Sequence, residues 1–501
     1  MAKIFNQVQS AKVKKSAFDL SHERKLSCNM GDLVPILLQE VVPGDKFTIT
    51  SEVMVRLAPM LAPVMHRMNA YIHYFYVPNR ITWSGWEDFI TNETETTIPT
   101  LGANYFNVVE GSIMDHLGLP VGNWTASLDK ISLLPFYAYM AIWNEYYRDE
   151  NLQDELNLTE IGVANIRTLL LKRNYEKDYF TSCLPWAQKG GAVELPIELE
   201  PNYSEFGASI AYRAADGTTP EANLTNFTTN AIGQIKDDTG TDAISIQNMS
   251  SVDGTVDIND LRTATRLQRW LERNARAGTR YVEHLLSHFG VRSSDARIQR
   301  PEYLGGGVTP IVVSEVLNTN AATVSNEDLG YMGGHGISVG QTNNATKYCE
   351  EHGYIMGLLS IIPKTGYSQG VPKHFSRSTN LDFYWPEFAQ LGEQEVKLRE
   401  LYMTADGNDN DQTFGYQSRF AEYKNQMSSV HGDFRTSLNF WHMVRDFSAE
   451  PALNEDFIQC DEARDDLTRI FATELGEHFW IQIYHKITAI RPMPYFNNPT
   501  L

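Results

Sequence analysis

The chain predicts a mainly β fold built from antiparallel strands, and three observations carry that expectation. Strands stand near both ends of the sequence, prolines sit at their corners, and helical patterns are confined to long stretches between them. In residues 47–57, Phe47, Ile49, Val53, Val55 and Leu57 share one parity, broken only at Ser51, while Thr48, Thr50, Glu52 and Arg56 take the other. That alternation is the mark of a half-buried strand. Pro43, Gly44 and Asp45 supply turn chemistry before it, and Pro59 and Pro63, which lack ladder donors, bound a corner after it. A second strand over about 70–77 has no polar face, because Tyr71, Ile72, Tyr74, Phe75, Tyr76 and Val77 fill both parities. It predicts burial on both sides, and Pro78 ends it. Near the other end of the chain, Phe479, Ile481, Ile483, Ile487 and Ala489 share a parity with His485 as the exception. Two long strands this early and one this late predict a sheet closed by its termini.

Between these strands, 353–363 reads as a buried strand and 134–153 as a helix with Pro135 near its first turn. Trp83, Trp86 and Phe89 have the spacing of one face of a short helix, and 461–475 reads as a short amphipathic helix. Trp143, Glu145 and Tyr147 imitate a sugar-binding platform, but aromatic stripes at this spacing belong to cores far more often. From 190 to 259 the texture turns to Asn, Thr, Asp, Gly and Ser without a sustained period, which predicts a surface insertion.

Composition sets the function classes. The 501 residues contain 42% hydrophobic and 11% aromatic residues, enough for a large core, and carry a formal charge of -20. That charge excludes a protein whose whole surface binds nucleic acid and leaves room for local basic patches. Cys28, Cys183, Cys349 and Cys460 are far apart, form no CxxC pair, and are expected to be reduced thiols. No apolar run approaches the roughly 20 residues that span a bilayer. The lysines near the start are followed by SAFDLSHERKLS, which has no apolar segment of a signal peptide.

Two basic stretches stand out against the acidic whole. Residues 1–31 hold Lys3, Lys12, Lys14, Lys15, Arg24 and Lys25 against Asp19 and Glu23, a local net of 6 − 2 = +4. This reads as an arm suited to nucleic-acid phosphates, against the plainer reading of a solvated terminus. In the helical pattern of 258–281, Arg262, Arg266, Arg269, Arg273, Arg276 and Arg280 are spaced 4, 3, 4, 3 and 4. At about 100° per residue they fall within roughly an 80° sector, with Leu261, Ala264, Leu267, Leu271 and Ala275 nearly opposite. The pattern predicts an apolar side turned inward and an arginine side turned out, with Ala277 and Gly278 placed to end the helix before Arg280. Arginine forks suit carboxylates of an acidic neighbouring subunit as well as phosphates, and the chain supplies many acidic partners.

Motifs of enzymes fail on spacing. Gly305 to Gly307 lack the Lys-Ser/Thr of a phosphate loop and read as a flexible turn. The glycine-rich 330–340 stretch fails the GxGxxG spacing and reads as a loop, with His335 a loop residue. Glu350, Glu351 and His352 have no second histidine at HExxH spacing. No catalytic, cofactor-binding or metal-ligating residue is assigned.

Several blocks in order carry a resemblance: LVPILLQEVVPGDKF, RLAPMLAPVM, YFYVPNRITWSGWEDF, DYFTSCLPWAQKG and above all HLLSHFGVRSSDARIQRPEYLGGG. They resemble the major capsid proteins of the microviruses, small bacteriophages with circular single-stranded DNA, and most of all the gokushovirus-like branch. The likeness runs over roughly 5–496, interrupted at 190–259, and the tail after Pro494 diverges. It implies an eight-stranded antiparallel jelly-roll β-sandwich with long helix-containing insertions: an arm over 1–31, then a capsid domain over 32–501 with 190–259 as a surface loop. It also implies a structural coat protein, not an enzyme, repeated in a T=1 icosahedral shell and found in the virion after assembly in the bacterial cytoplasm. The implied partners are further copies of the chain, packaged single-stranded DNA, a small internal DNA-binding protein, a pilot or minor capsid protein and a scaffolding protein. A host receptor contact falls to 190–259, where the insertion looks short for a full protrusion. The alternative from composition alone, with 9 Trp and 24 Tyr, is a jelly-roll carbohydrate-binding protein or glycosidase.

Overall fold

The computed structural model describes residues 14–91, 97–101, 106–124, 131–157, 170–190, 198–200, 228–229, 235–236, 243–244, 253–255, 258–276, 287, 299–319, 330–404, 410–473 and 476–496. Eight long strands make the frame: β1 (His22–Cys28), β2 (Val34–Val41), β3 (Lys46–Leu57), β4 (Met68–Pro78), β5 (Glu302–Leu317), β6 (Met332–Gln341), β7 (Gly353–Pro363) and β8 (Phe479–Arg491). All their pairings are antiparallel. One sheet runs β1-β8-β3-β6 and the other β2-β7-β4-β5, and the far half of β5 also pairs with β6, joining the sheets along one edge. This is the jelly roll. The termini close it, because β8 lies between β1 and β3, with Phe479 opposite both Cys28 and Leu57.

The same-parity residues expected to face inward do so. Phe47, Ile49, Val53, Val55 and Leu57 from β3 and Phe479, Ile481, Ile483, Ile487 and Ala489 from β8 join one core between the sheets. Each of the Phe, Ile, Val and Leu side chains contributes roughly 1.5–3 kcal/mol by leaving water. The two breaks in these patterns, Ser51 and His485, are opposite each other in the β3–β8 register and are both fully buried. His485 Nε2 lies 3.0 Å from the carbonyl of Ile36 on β2 and donates to it, so Nδ1 accepts from the Ser51 hydroxyl at 2.6 Å. The Tyr74 hydroxyl on β4 in turn donates to Ser51 Oγ at 2.5 Å. Burial pushes the His485 pKa down to about 4, so the ring is neutral at pH 7. Two polar residues in apolar positions therefore form one hydrogen-bonded chain whose members come from both sheets.

The two-sided burial of β4 has a second cause outside the sandwich. Helix α1 (Leu134–Ile142) packs on the outer face of the second sheet, where Phe75, Val77, Met356 and Leu358 meet Leu134, Phe136 and Ile142. It continues as a π turn over Trp143–Tyr147 and stops at Arg148, which is extended. Trp143 donates its indole N–H to the Lys172 carbonyl at 3.0 Å and Tyr147 is buried against His73. The aromatic stripe is core. A third apolar cluster joins the two long connections, with Phe180 and Cys183 against Tyr367, Val396 and Phe414.

The structure corrects four local expectations. Gly305 to Gly307 are no turn: they lie inside β5 opposite Tyr74, His73 and Ile72, with a bulge between Tyr303 and Gly305. A Cβ on Gly306 would fall on the Ile72 carbonyl, so the glycine serves close strand approach. The 330–340 stretch is mostly β6, where Gly334 meets the backbone of Ala62 for the same reason, and His335 is a strand residue. Residues 461–470 form turns and one 3₁₀ turn, Leu467–Ile470, because Asp466 takes a left-handed conformation at φ 51° that an α-helix excludes. Lastly, Ser16–Asp19 and His22–Cys28, expected within a free arm, are strands paired to β8.

All four cysteines are buried free thiols, and burial pushes Cys349 up to about 12. No helix among the described residues is long and apolar enough to cross a membrane. Contacts within the chain separate Gln188–Arg273 from the rest as a second unit. Its described parts include Glu198–Glu200 paired with Asp253–Thr255, a small sheet of Thr228–Thr229, Ile235–Lys236 and Ala243–Ile244, and most of helix α2 (Ile258–Arg276).

Candidate subunit and nucleic-acid interfaces

The basic residues near the start divide into three groups. Lys3 and Lys12 lie outside the described residues. Lys14, Lys15 and Lys25 are exposed; Lys15 Nζ donates to the Gly44 carbonyl at 2.8 Å and sits 5.1 Å over the Tyr348 ring, and Lys25 pairs with Glu23 at 3.5 Å in open solvent. Surface pairs of this kind are worth little and are readily exchanged. Arg24 is different. Its guanidinium turns into the protein, donating to the Ile36 carbonyl at 2.9 Å and the His116 carbonyl at 2.6 Å, and burial lowers its pKa. It ties β1 to β2 and to the 113–116 helical turn, which removes it from the phosphate contacts expected of it.

The arginine helix forms as the spacing requires and ends at Arg276. Arg262, Arg266, Arg269, Arg273 and Arg276 are all exposed; Arg280 lies outside the described residues. Arg276 pairs with the carboxylate of Glu393, which is buried. The apolar side departs from expectation. Ala275 is buried, Ala264 and Leu271 are half-buried, and Leu261 and Leu267 are about half exposed. Periodicity assigned these residues to one side but does not say what covers it.

The acidic motif at 350–352 is structural. Arg80 holds Glu351 with two N–H groups, at 2.9 and 3.3 Å, and the His352 carbonyl accepts from Asn79 at 3.0 Å. These bonds fix the turn into β7.

Sequence reading missed two exposed apolar surfaces. Phe383, Tyr384 and Trp385 stand about half exposed among 3₁₀ turns, where an aromatic run bounded by Pro386 looks like a buried strand end. The outer faces of β5 and β6 present Val308, Val312, Val316 and Val339 to solvent. Their signal was the alternation around Pro310, masked by the neighbouring glycines.

A complete jelly roll with its longest excursions at 79–301 and 364–478 is one half of the identification; comparison with known proteins is the other. Residues 6–501 match the model of the capsid protein (F protein) family. The chain belongs to this capsid protein family. It is 33% identical to the capsid protein VP1 of Chlamydia phage 1 and 35% identical to that of Bdellovibrio phage phiMH2K, in each case over 99% of this chain and 97% of the relative. It is 28% identical to the capsid protein VP1 of Spiroplasma virus 4 over the same shares. The microvirus resemblance read from the sequence is thereby supported along the whole chain. As a capsid protein it is a structural molecule of the virion, not an enzyme, and it works by self-assembly; the glycosidase alternative falls away.

The different roles of neighbouring Arg24 and Lys25 are directly testable. Arg24→Ala is expected to destabilise the chain by about 1–3 kcal/mol, because two carbonyls lose a charged donor. Lys25→Ala is expected to change stability by less than about 0.5 kcal/mol. Urea unfolding of both variants checks this, and equal effects would contradict it.

Proposed function

We propose that copies of this capsid protein close into a small T=1 icosahedral shell around a circular single-stranded DNA genome. The observation that carries the reading is the family match over 6–501 on a chain whose eight strands complete the jelly roll. Assembly proceeds through large, partly apolar contacts between identical chains. The lysines near the start, Lys3, Lys12, Lys14, Lys15 and Lys25, neutralise phosphates of the packaged DNA; the exposure of Lys14, Lys15 and Lys25 supports this. Arg262, Arg266, Arg269 and Arg273 of α2 meet carboxylates of a neighbouring subunit, while Arg276 already holds Glu393; their exposure and the surplus of acidic residues, 62 against 42 Lys and Arg, support this. A small internal DNA-binding protein, a pilot protein and a scaffolding protein complete the assembly, and 190–259 is offered to a host receptor.

Electron microscopy of nuclease-treated particles, with extraction of the protected nucleic acid, tests the whole reading. Closed particles protecting single-stranded DNA are expected; particles protecting no DNA, or no closed particles, would overturn it. Replacing Lys12, Lys14, Lys15 and Lys25 together by Ala is expected to lower DNA per particle at least about threefold while particle yield stays within about twofold, since each lost cation weakens phosphate binding. Equal DNA content would count against the lysines. Arg266→Glu with Arg273→Glu is expected to cut particle yield about tenfold or more by placing like charges together. Wild-type yield would sink the subunit role of α2.

A further inference from the structure

The outer side of the second sheet is covered by α1 over β4 and β7, yet at the β5–β6 end the same apolar character runs on without cover among the described residues. In the β5–β6 register Val312 lies opposite Ile337 and Val316 opposite Gly333, so the outward positions are Val308, Pro310, Val312, Ser314 and Val316 on one strand and Gly333, His335, Ile337 and Val339 on the other. On the inward side Ile311 joins the core, Val313 packs against it and the Ser338 hydroxyl donates to the Pro310 carbonyl at 2.9 Å, while Glu315 and Leu317 at the far end of β5 are exposed. Exposure of the outward valines is high: 56% for Val308, 62% for Val312, 55% for Val316 and 72% for Val339. No Asp, Glu, Lys or Arg stands on this face. Charges stand at its borders, where β3, paired to β6, turns Glu52 and Arg56 outward and where Arg173 lies 4.0 Å over the ring of Tyr71, the β4 residue opposite Val308.

We propose that this uncharged β5–β6 face is a contact surface for a second copy of the chain within the shell. The inference rests on the capsid reading and names the surface that reading leaves open. Two considerations select the occupant. Each chain carries a formal charge of -20, so a contact through a face without acidic residues adds no local like-charge repulsion between two copies. The face also has the anatomy of a protein–protein contact, an apolar centre with opposite charges, Glu52 and Arg56, at its rim. β-branched valines on a paired ribbon add a rigid surface that loses little side-chain freedom on docking.

The test introduces charge at the centre of the face. Val312→Lys and Val339→Lys, made separately, are expected to lower the yield of closed particles at least about tenfold, while the soluble chain keeps its circular dichroism and melting temperature, because both side chains already stand in solvent. Val339→Thr, which keeps the shape and adds no charge, is expected to assemble within about twofold of wild type. Wild-type yield for both lysine variants would overturn the proposal. Hydroxyl-radical footprinting of wild-type particles against the dissociated wild-type chain gives a reading that does not depend on any variant folding. Protection of 308–316 and 332–339 in the particle is expected, and unchanged labelling there would overturn the proposal. Failure of the wild-type chain to form particles at all would refute the capsid reading itself, a separate outcome.

Discussion

The hydrogen-bonded chain from Tyr74 through Ser51 and His485 to the Ile36 carbonyl is the constraint on which the sandwich depends. Its four members stand on β4, β3, β8 and β2, so it crosses from one sheet to the other twice. Apolar contacts between sheets tolerate sliding, because one methyl group substitutes for another at little cost. A buried polar group does not, since a shift of one residue leaves donors and acceptors orphaned and inverts the face of every side chain. The chain therefore fixes the register of β8 on β3 at the one place where both strands abandon their alternation. The Thr342 hydroxyl, which accepts from the Ser51 backbone at 2.8 Å, ties the end of β6 to the same point.

Register at β8 matters because this strand closes the fold with the last long segment of the chain. β8 reaches its place between β1 and β3 only after the chain has made its excursions at 79–301 and 364–478. Such non-local closure is slow and entropically costly, and the rigid frame that results carries long connections without being altered by them. One connection supplies α1 as a lid over β4 and β7, and the other supplies the cluster around Tyr367 and Phe414. Surfaces for assembly are then free to lie on strand faces and excursions while the sandwich stays fixed.

The strands at the two ends, their inward parity and the burial of β4 on both sides were legible in the sequence, because each is a local pattern of side-chain type. The exceptions at Ser51 and His485 were visible too, but their pairing was not, since register between residues 434 positions apart has no local signal. Glycine misled most. Gly306 and Gly334 read as turn residues, yet they serve close packing within strands, a requirement imposed by neighbours remote in sequence. At the candidate interfaces, α2 and its arginine side were readable from spacing alone. The burial of Arg24 beside exposed Lys25 was not, because it depends on carbonyls that only the folded β2 and the 113–116 turn bring near.

A division of labour follows from these constraints and the proposed contact surface: polar groups inside the sandwich set its geometry, and apolar groups left outside it are proposed to serve contact between chains. The first half of that statement is tested most directly by a double-mutant cycle on Ser51→Val and His485→Leu, measured by urea unfolding of the purified chain. Each single substitution orphans a buried partner and is expected to cost about 1–3 kcal/mol. The double variant removes both partners, and its cost is expected to fall short of the sum of the singles by about 1 kcal/mol or more. Additivity within about 0.5 kcal/mol would show that the two residues act independently, contradicting the role given to their hydrogen bond.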